Sequence, residues 1–207
     1  MKLESIGIII ALRPFGERDM VAHIFTRDYG VMVGMMRGAA VARKNRPLVG
    51  QMGVVSWNAR LDSALGVFHF ESSRNLSAPL MSNASALAYM NSAFALLHAM
   101  LPERERYECL YNSTLEFLTT GDYLPWEIFL LRELGYALDL SRCSNCGTAE
   151  NLTHLSRRTG RAVCTECATP WVDKCFALPI DLNVTKFFVE RAAADMGTEI
   201  PMMRKMI

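Results

Sequence analysis

The front of the chain alternates between short apolar runs and turn-forming residues. The runs are rich in Val, Ile, Met and Phe, and the turn formers between them include Gly16, Gly30, Gly50 and Asp62-Ser63. Runs of this length and composition are typical of β-strands. Five short strands in succession favour a small closed or half-closed barrel, with a fragment of a β-sandwich as the alternative. The predicted strands are Ile6–Leu12, Met20–Thr26, Val31–Met36, Met52–Trp57 and Val67–Glu71.

After Pro79 the apolar positions recur at steps of three and four, which predicts helices. The first predicted helix has Ser82 or Asn83 as its N-cap. Its apolar face consists of Leu87, Met90, Phe94, Leu97 and Leu101. A second helix follows over 107–118 and ends at Gly121, and a third begins near Pro125 and ends at Gly135. The chain is therefore of the α+β class, with a predicted boundary near 76–82 that separates domains at 1–78 and 79–207.

Charge is unevenly distributed along the 207 residues, although the net charge is only +1. Residues 1–80 contain ten lysines and arginines and six acidic residues, which hints at a polyanionic partner for the front half. The apolar run at 85–101 is interrupted by Asn91, Ser92 and His98, so it predicts a buried helix and no membrane span. With no targeting signal in view, we expect a cytoplasmic protein whose cysteines are thiols or metal ligands.

Two Cys-x-x-Cys pairs, seventeen residues apart, form the most specific motif of the chain. Two thiolates on a tight turn bind one ion from one side, and a second pair completes a tetrahedron. Gly147 suits the first turn, where a positive φ is common, whereas Ala168 stands at the matching place in the second. With a hairpin turn predicted at Arg157–Gly160, this spacing predicts a zinc-ribbon-like site over 143–167. Its predicted Zn²⁺ ligands are Cys143, Cys146, Cys164 and Cys167.

Four thiolates fill the coordination sphere of zinc, and a catalytic zinc ion usually keeps one position open. The site is therefore expected to be structural. His154 is interpreted as a surface or hairpin-packing residue, while Cys109 and Cys175 are interpreted as small core residues, with Cys175 as the one alternative ligand.

A basic segment without acidic residues lies between the third and fourth predicted strands. Its cations could neutralise phosphates and give salt-sensitive, sequence-independent binding, although a solvated loop is the simpler alternative. Arg13 and Arg18, near the first turn, are lesser candidates for the same role. Phe15, Tyr29 and Trp57 are candidate platforms for base stacking, or else core residues. The predicted phosphate contacts of the loop are Arg37, Arg43, Lys44 and Arg46.

The usual sequence signatures of hydrolases and nucleotide-binding enzymes do not occur in this chain, which favours a protein without catalytic activity. Three functions remain open from the residues alone. The first is a DNA-binding mediator, the second a zinc-ribbon adaptor between proteins that would depend on Arg157, Arg158 and Arg161, and the third a metal-dependent hydrolase.

The order of motifs resembles that of the RecO family of bacterial recombination mediators. Gly16-Glu17-x-Asp19 followed by Phe25-Thr26-x-x-Tyr29-Gly30 is similar to the family's first hairpin, and Met36-Arg37-Gly38-Ala39 to its next strand end and loop. The best match is Leu130-Leu131-x-x-Leu134-Gly135-Tyr136 leading into Leu140-x-x-Cys143-x-x-Cys146-Gly147.

This resemblance implies an N-terminal OB-fold followed by an α-helical domain with a zinc site. It also implies binding to single- and double-stranded DNA, annealing of complementary strands and cooperation with RecR. Together these would help to load RecA onto DNA coated with single-strand-binding protein, whose acidic tail is a further implied partner.

Overall fold

The computed structural model describes residues 2–59 and 65–207, so the turn predicted at Asp62-Ser63 lies outside the described residues. Five strands close into a barrel in the order β1-β2-β3-β5-β4, with β4 pairing back to β1. Each predicted strand lies within an observed one, and this order confirms the expected OB-fold and excludes the sandwich. The strands are β1 Lys2–Phe15, β2 Asp19–Thr26, β3 Gly30–Met36, β4 Gln51–Asn58 and β5 Gly66–Asn75.

The long strand β1 pairs with two neighbouring strands. Its first half pairs with β4 and its second half with β2, and the register against β2 shifts between Ile9 and Ala11. Such a bulge bends a strand and increases its twist, which allows one strand to follow the curvature of a small barrel. The barrel interior is filled by inward-facing apolar side chains, among them Ile9, Ile24, Met32, Val55 and Phe68.

Gly30, at the start of β3, meets the segment that connects the first two helices. Its φ is +62°, and a Cβ there would lie 1.7 Å from the backbone oxygen of Glu105. The amide of Arg104 donates to the carbonyl of Val31 over 2.9 Å at the same place. A residue with a side chain would therefore push the connecting segment away from the barrel.

The helices begin and end close to the positions predicted from the sequence. The side chain of Asn83 accepts a hydrogen bond from the amide of Ala86, so Asn83, not Ser82, is the N-cap of the first helix. Gly121 ends the second helix with φ +85°, as its position predicts. The helices are α1 Ala84–Met100, α2 Glu108–Thr120, α3 Tyr123–Glu133, α4 Thr165–Ala168, α5 Leu182–Asp195 and α6 Met202–Lys205.

A second, smaller sheet lies between α3 and α5 in the sequence. It has the strand order β7-β6-β8, and its strands are β6 Leu152–Ser156, β7 Ala162–Cys164 and β8 Cys175–Ala177. β6 and β7 form the predicted hairpin around Arg157–Gly160. The segment Thr169–Lys174, between α4 and β8, is a 3₁₀ helix with a break at Trp171.

The chain divides into two compact units, one formed by Met1–Gly121 with Ile200–Ile207 and the other by Asp122–Glu199. The switch from strand to helix near residue 78 coincides with the predicted boundary, but a division into domains at 78 stays a prediction. No helix within 2–59 and 65–207 has both the length and the apolar character that crossing a membrane requires.

Candidate metal centre and nucleic-acid surface

The two Cys-x-x-Cys pairs meet in space. The sulfur atoms of Cys143, Cys146, Cys164 and Cys167 all lie within 4.8 Å of one another, and those of Cys146 and Cys164 are 3.7 Å apart. A tetrahedral zinc ion with Zn–S bonds of about 2.3 Å places its ligand sulfurs about 3.8 Å apart. The four thiols therefore fit a single metal ion.

The first pair lies on a tight turn closed by backbone hydrogen bonds. The amide of Cys143 donates to the carbonyl of Thr148 over 2.7 Å, and the amide of Gly147 donates to the carbonyl of Cys143 over 2.9 Å. Gly147 has a φ of +78°, which confirms the reason for a glycine at that place. The amide of Ser144 also donates to Ala162 over 2.9 Å, which ties this turn to β7.

The second pair is built differently. Cys164 ends β7 and is the N-cap of α4, and Cys167 lies within that single helical turn. Ala168, which we matched to Gly147 from the spacing, lies in α4 and is fully buried against the cluster. Because a helical turn replaces the expected tight turn, no positive φ is needed and a small apolar residue suits the position better than glycine.

The electrostatics of the cluster favour a bound cation. Backbone amides of Cys146 and Cys164 donate to the sulfur of Cys143 and lower the pKa of that thiol to about 6. The side-chain amide of Asn145 acts to lower the pKa of Cys167, but the adjacent sulfurs outweigh it and raise that pKa to about 11. Like charges this close oppose each other's ionisation, so four thiolates coexist only with a cation among them.

Asn145 is a site residue that the sequence pattern did not single out. Its Nδ2 donates to the sulfur of Cys167 over 3.2 Å, so a residue of the first pair's turn contacts a cysteine of the second pair. Hydrogen bonds from outside the ligand set orient ligands and tune a metal site. The one feature of the sequence that could have pointed to Asn145 is its position between the two cysteines of the first pair.

The remaining candidate ligands lie outside the cluster. The Nδ1 atom of His154 is 2.9 Å from the hydroxyl oxygen of Thr153. Cys175 lies on β8, half-buried, and is not among the clustered thiols. Cys109 is exposed on α2, so its interpretation as a core residue is wrong.

The basic loop between β3 and β4 is anchored to the turn between β1 and β2. The amide of Ala40 donates to the carbonyl of Arg18 over 2.9 Å, and the amide of Gly38 donates to the carboxylate of Asp19 over 2.7 Å. The fold thus brings Arg18 to the loop that holds most of the other predicted phosphate contacts. Arg13 lies further back, on the second half of β1.

All six predicted phosphate contacts are exposed, and within 2–59 and 65–207 none of them takes part in an ion pair. Cations without a carboxylate partner keep their full attraction for an external anion. The six are Arg13, Arg18, Arg37, Arg43, Lys44 and Arg46.

The three aromatic candidates on the barrel differ in access. Trp57 is 1% exposed, its Nε1 donates to the carbonyl of Val33 over 3.1 Å, and a Cβ at Gly66 would lie 2.1 Å from its ring. Its role as a stacking platform is therefore excluded, and it is a core residue. Tyr29 packs against the barrel core and is half-buried, whereas Phe15 is 51% exposed.

Comparison with known proteins agrees with this architecture over nearly the whole chain. Residues 1–70 match the family described as "Recombination protein O N terminal", and residues 81–198 match "Recombination protein O C terminal". The chain belongs to the RecO family. Its closed five-stranded barrel, apart from the last residues of β5, falls within the N-terminal match and is the OB-fold of that family. The four-cysteine cluster falls within the C-terminal match.

Several curated RecO proteins are similar to this chain. The DNA repair protein RecO of Cereibacter sphaeroides is 37% identical over 191 residues, which cover 88% of this chain and 79% of the relative. The DNA repair protein RecO of a Ruegeria species is 38% identical over 183 residues, covering 84% and 76%. That of a Jannaschia species is 39% identical over 181 residues, covering 83% and 74%. The chain is therefore a RecO-family protein related to DNA repair proteins.

Proposed function

We propose that this RecO-family protein is a DNA-binding recombination mediator that anneals complementary strands. The proposal rests on the exposed cations of the barrel, which lie on the turn between β1 and β2 and on the loop between β3 and β4. Two DNA strands repel each other through their phosphates, and cations that neutralise phosphates lower this repulsion. Contacts to the backbone leave the bases free to pair.

We assign the phosphate contacts to the basic loop first. Arg37, Arg43, Lys44 and Arg46 belong to one connection, so they can follow one stretch of backbone. Arg18 and Arg13 extend this surface along the first turn and β1. Contacts to phosphates carry no sequence information, so binding through these side chains is independent of sequence.

The partners follow from the family. We propose that the protein binds single- and double-stranded DNA, cooperates with RecR, and contacts the acidic tail of single-strand-binding protein. Through these contacts it would help to load RecA onto coated single strands, in the bacterial cytoplasm and in association with the nucleoid. Annealing and loading need no covalent chemistry, so the protein is proposed to act without catalysis.

The four clustered cysteines are proposed to hold one structural Zn²⁺. Tetrahedral sulfur coordination suits zinc, and four thiolates leave no open position for a substrate. The ion would fix the turn of Cys143 and Cys146 to the end of β7 and to α4, because the cluster draws one pair from each.

Strand annealing at low and moderate salt tests the proposal. The variant with Arg43→Ala, Lys44→Ala and Arg46→Ala should anneal more slowly than the parent and show a weaker dependence on salt. A matched control replaces Arg132 and Arg142, which lie outside the barrel, with Ala. Equal annealing by parent and loop variant would refute the loop assignment. Absence of both annealing and DNA binding in the parent would refute the proposed function and favour a zinc-ribbon adaptor.

A further inference from the structure

A basic groove lies in the unit that contains the cysteine cluster, and Asn145 and Cys167 are among its lining residues, whereas none of the predicted phosphate contacts lines it. It encloses about 920 Å³ and is lined by the turn between β6 and β7, the start of β7 and the 3₁₀ segment before β8. Asp173 is the one carboxylate among its lining residues. The lining cations are Arg157, Arg158, Arg161 and Lys174.

Backbone contacts hold these cations side by side. The amide of Arg157 donates to the carbonyl of Lys174 over 3.1 Å, which continues the pairing of β6 with β8. The guanidinium of Arg191, on α5, donates to the carbonyl of Arg158 over 2.7 Å and to that of Arg157 over 3.3 Å. The hairpin turn is thus fixed by a further cation, which adds to the positive charge of the region.

This positive charge is only partly offset by neighbouring acids. The backbone of Arg161 pairs with that of Asp139, whose carboxyl pKa the charge of Arg161 helps to lower, and Asp173 shares the groove. Within the described residues none of the four lining cations takes part in an ion pair. A concave surface with an excess of one charge concentrates ligands of the opposite charge.

The groove also has an exposed indole. Trp171 is 56% exposed, whereas the other two tryptophans, Trp57 and Trp126, are each 1% exposed. The ammonium of Lys174 lies 4.9 Å from the Trp171 ring centroid, and the guanidinium of Arg157 lies 4.4 Å from that of Phe176. Cations interleaved with aromatic rings are what proteins use to hold single-stranded nucleic acid.

We infer that this groove is a second binding site for single-stranded DNA. Arg157, Arg158, Arg161 and Lys174 contact successive phosphates, and an unpaired base stacks on Trp171. The exposed indole favours single-stranded DNA over an acidic peptide as the ligand. An unpaired base has a flat ring that stacks on the indole, whereas a carboxylate has none. It also excludes a duplex, whose bases are stacked on one another and unavailable. The inference goes beyond the proposed function, since the barrel loop takes no part in it.

Tryptophan fluorescence tests the site directly. Titration of the full chain with an oligothymidylate should quench the emission, and the signal comes from Trp171 because the other two tryptophans are buried. Trp171→Phe should still bind in an anisotropy assay but lose the quenching. When Arg43→Ala, Lys44→Ala and Arg46→Ala have removed the barrel contacts, adding Trp171→Ala should lower the affinity measured by anisotropy by roughly 5- to 150-fold, the range that loss of one stacked base gives. Unchanged quenching in Trp171→Phe would overturn the assignment.

Charge variants provide an independent measurement. Arg158→Gln and Lys174→Gln should each weaken quenching-monitored binding and lower the slope of log affinity against log salt by about 0.7. Arg142→Gln is the matched control, since Arg142 is exposed in the same unit but does not line the groove. An equal loss in all three variants would indicate a general charge effect and contradict the site.

Two further outcomes separate this inference from other possibilities. Quenching by an oligoglutamate peptide and not by the oligothymidylate would overturn the nucleic-acid assignment in favour of an acidic protein partner. The variant with Arg43→Ala, Lys44→Ala and Arg46→Ala should keep the quenching in full. If that variant keeps both quenching and annealing, the barrel assignment fails while the groove stands. If the parent shows no quenching, the groove fails whatever the annealing result.

Discussion

The imidazole rings of His23 and His98 meet edge to face, with their centroids 4.1 Å apart and an interplanar angle of 89°. His23 lies on β2 and His98 on α1, so this contact joins the barrel wall to the first helix. Burial, aided by the charges of His98 and Arg13, lowers the pKa of His23 to about 4. Burial and Arg13 also lower the pKa of His98, against an opposing effect of Glu103.

This pair makes the folded protein sensitive to acid. The pKa of His23 is about 4 in the folded chain, whereas the ordinary pKa of histidine is 6.5, so the unfolded chain binds more protons between these values. The contribution of this pair to stability should be constant above pH 6.5 and fall as the pH decreases towards 4. Because both rings are half-exposed, solvent screening reduces the loss to on the order of 1–2 kcal/mol. Urea unfolding at pH 7.5 and pH 5 measures it.

The control for this prediction is His69, which is largely exposed on β5. His23→Phe keeps an aromatic ring against His98 and should reduce the difference in stability between the two pH values. His69→Gln should leave that difference unchanged. A pH dependence that is the same in the parent and in His23→Phe would contradict the assignment to this pair.

Zinc content should depend on the clustered cysteines and not on the others. Protein purified without added zinc should contain about one zinc ion per chain, as a single four-ligand site requires. Replacing Cys143 and Cys146 together with serine should abolish this content, because two thiolates alone cannot complete the tetrahedron. Metal analysis by mass spectrometry gives the ratio. Cys109→Ser and Cys175→Ser, outside the cluster, should each retain the metal; its loss in these variants would argue against the four-cysteine assignment.

The amide of Asn145 should contribute to metal affinity. Its hydrogen bond to the sulfur of Cys167 lies outside the ligand set, and loss of such a contact lowers affinity by about 10- to 100-fold. Competition between Asn145→Ala and a chromophoric chelator measures the change. Ser144→Ala is the neighbouring control, since Ser144 contacts β7 through its backbone amide. Equal affinities for Asn145→Ala and the parent would show that the contact is not used.

Two buried tyrosines should respond in opposite ways to loss of the hydroxyl. The hydroxyl of Tyr111 has no hydrogen-bond partner among the described residues, and burial raises its pKa to about 12. The hydroxyl of Tyr123 donates to the carboxylate of Glu127 over 2.8 Å. Tyr111→Phe should therefore be neutral or stabilising by up to about 1 kcal/mol, whereas Tyr123→Phe should destabilise by about 1–3 kcal/mol. Denaturant unfolding measures both, and a large loss in Tyr111→Phe would contradict the unpaired hydroxyl.

Features governed by local geometry were predictable from the sequence. The strands of the barrel follow from short apolar runs bounded by turn formers, and Gly121 and Gly147 occupy positive-φ positions that their spacing indicates. The cysteine cluster was predictable for the same reason, because two thiols three positions apart on a short turn can face one ion. Strands, turn glycines and Cys-x-x-Cys turns each depend on the dihedral angles of a few neighbouring residues, so a short stretch of sequence is enough to predict them.

Side-chain surroundings were harder to predict because they depend on residues distant in the chain. The sequence makes Trp57 a candidate for stacking, but in the fold Gly66 and Val33 enclose its ring. Cys109, assigned to the core, lies on the exposed face of α2. Periodicity gives the type of element, but the face that is buried depends on which other elements pack against it.

The sequence alone determined the class of fold, the closed cysteine site and the family, since these depend on local runs, fixed spacings and their order. The tertiary structure decided which residues share a surface. Pairing of β6 with β8 brings Arg157 beside Lys174, and the hydrogen bond from Ala40 to Arg18 unites two loops of the barrel. Such contacts join residues about twenty positions apart, and they form only when burial of the core offsets the entropy of closing the chain between them.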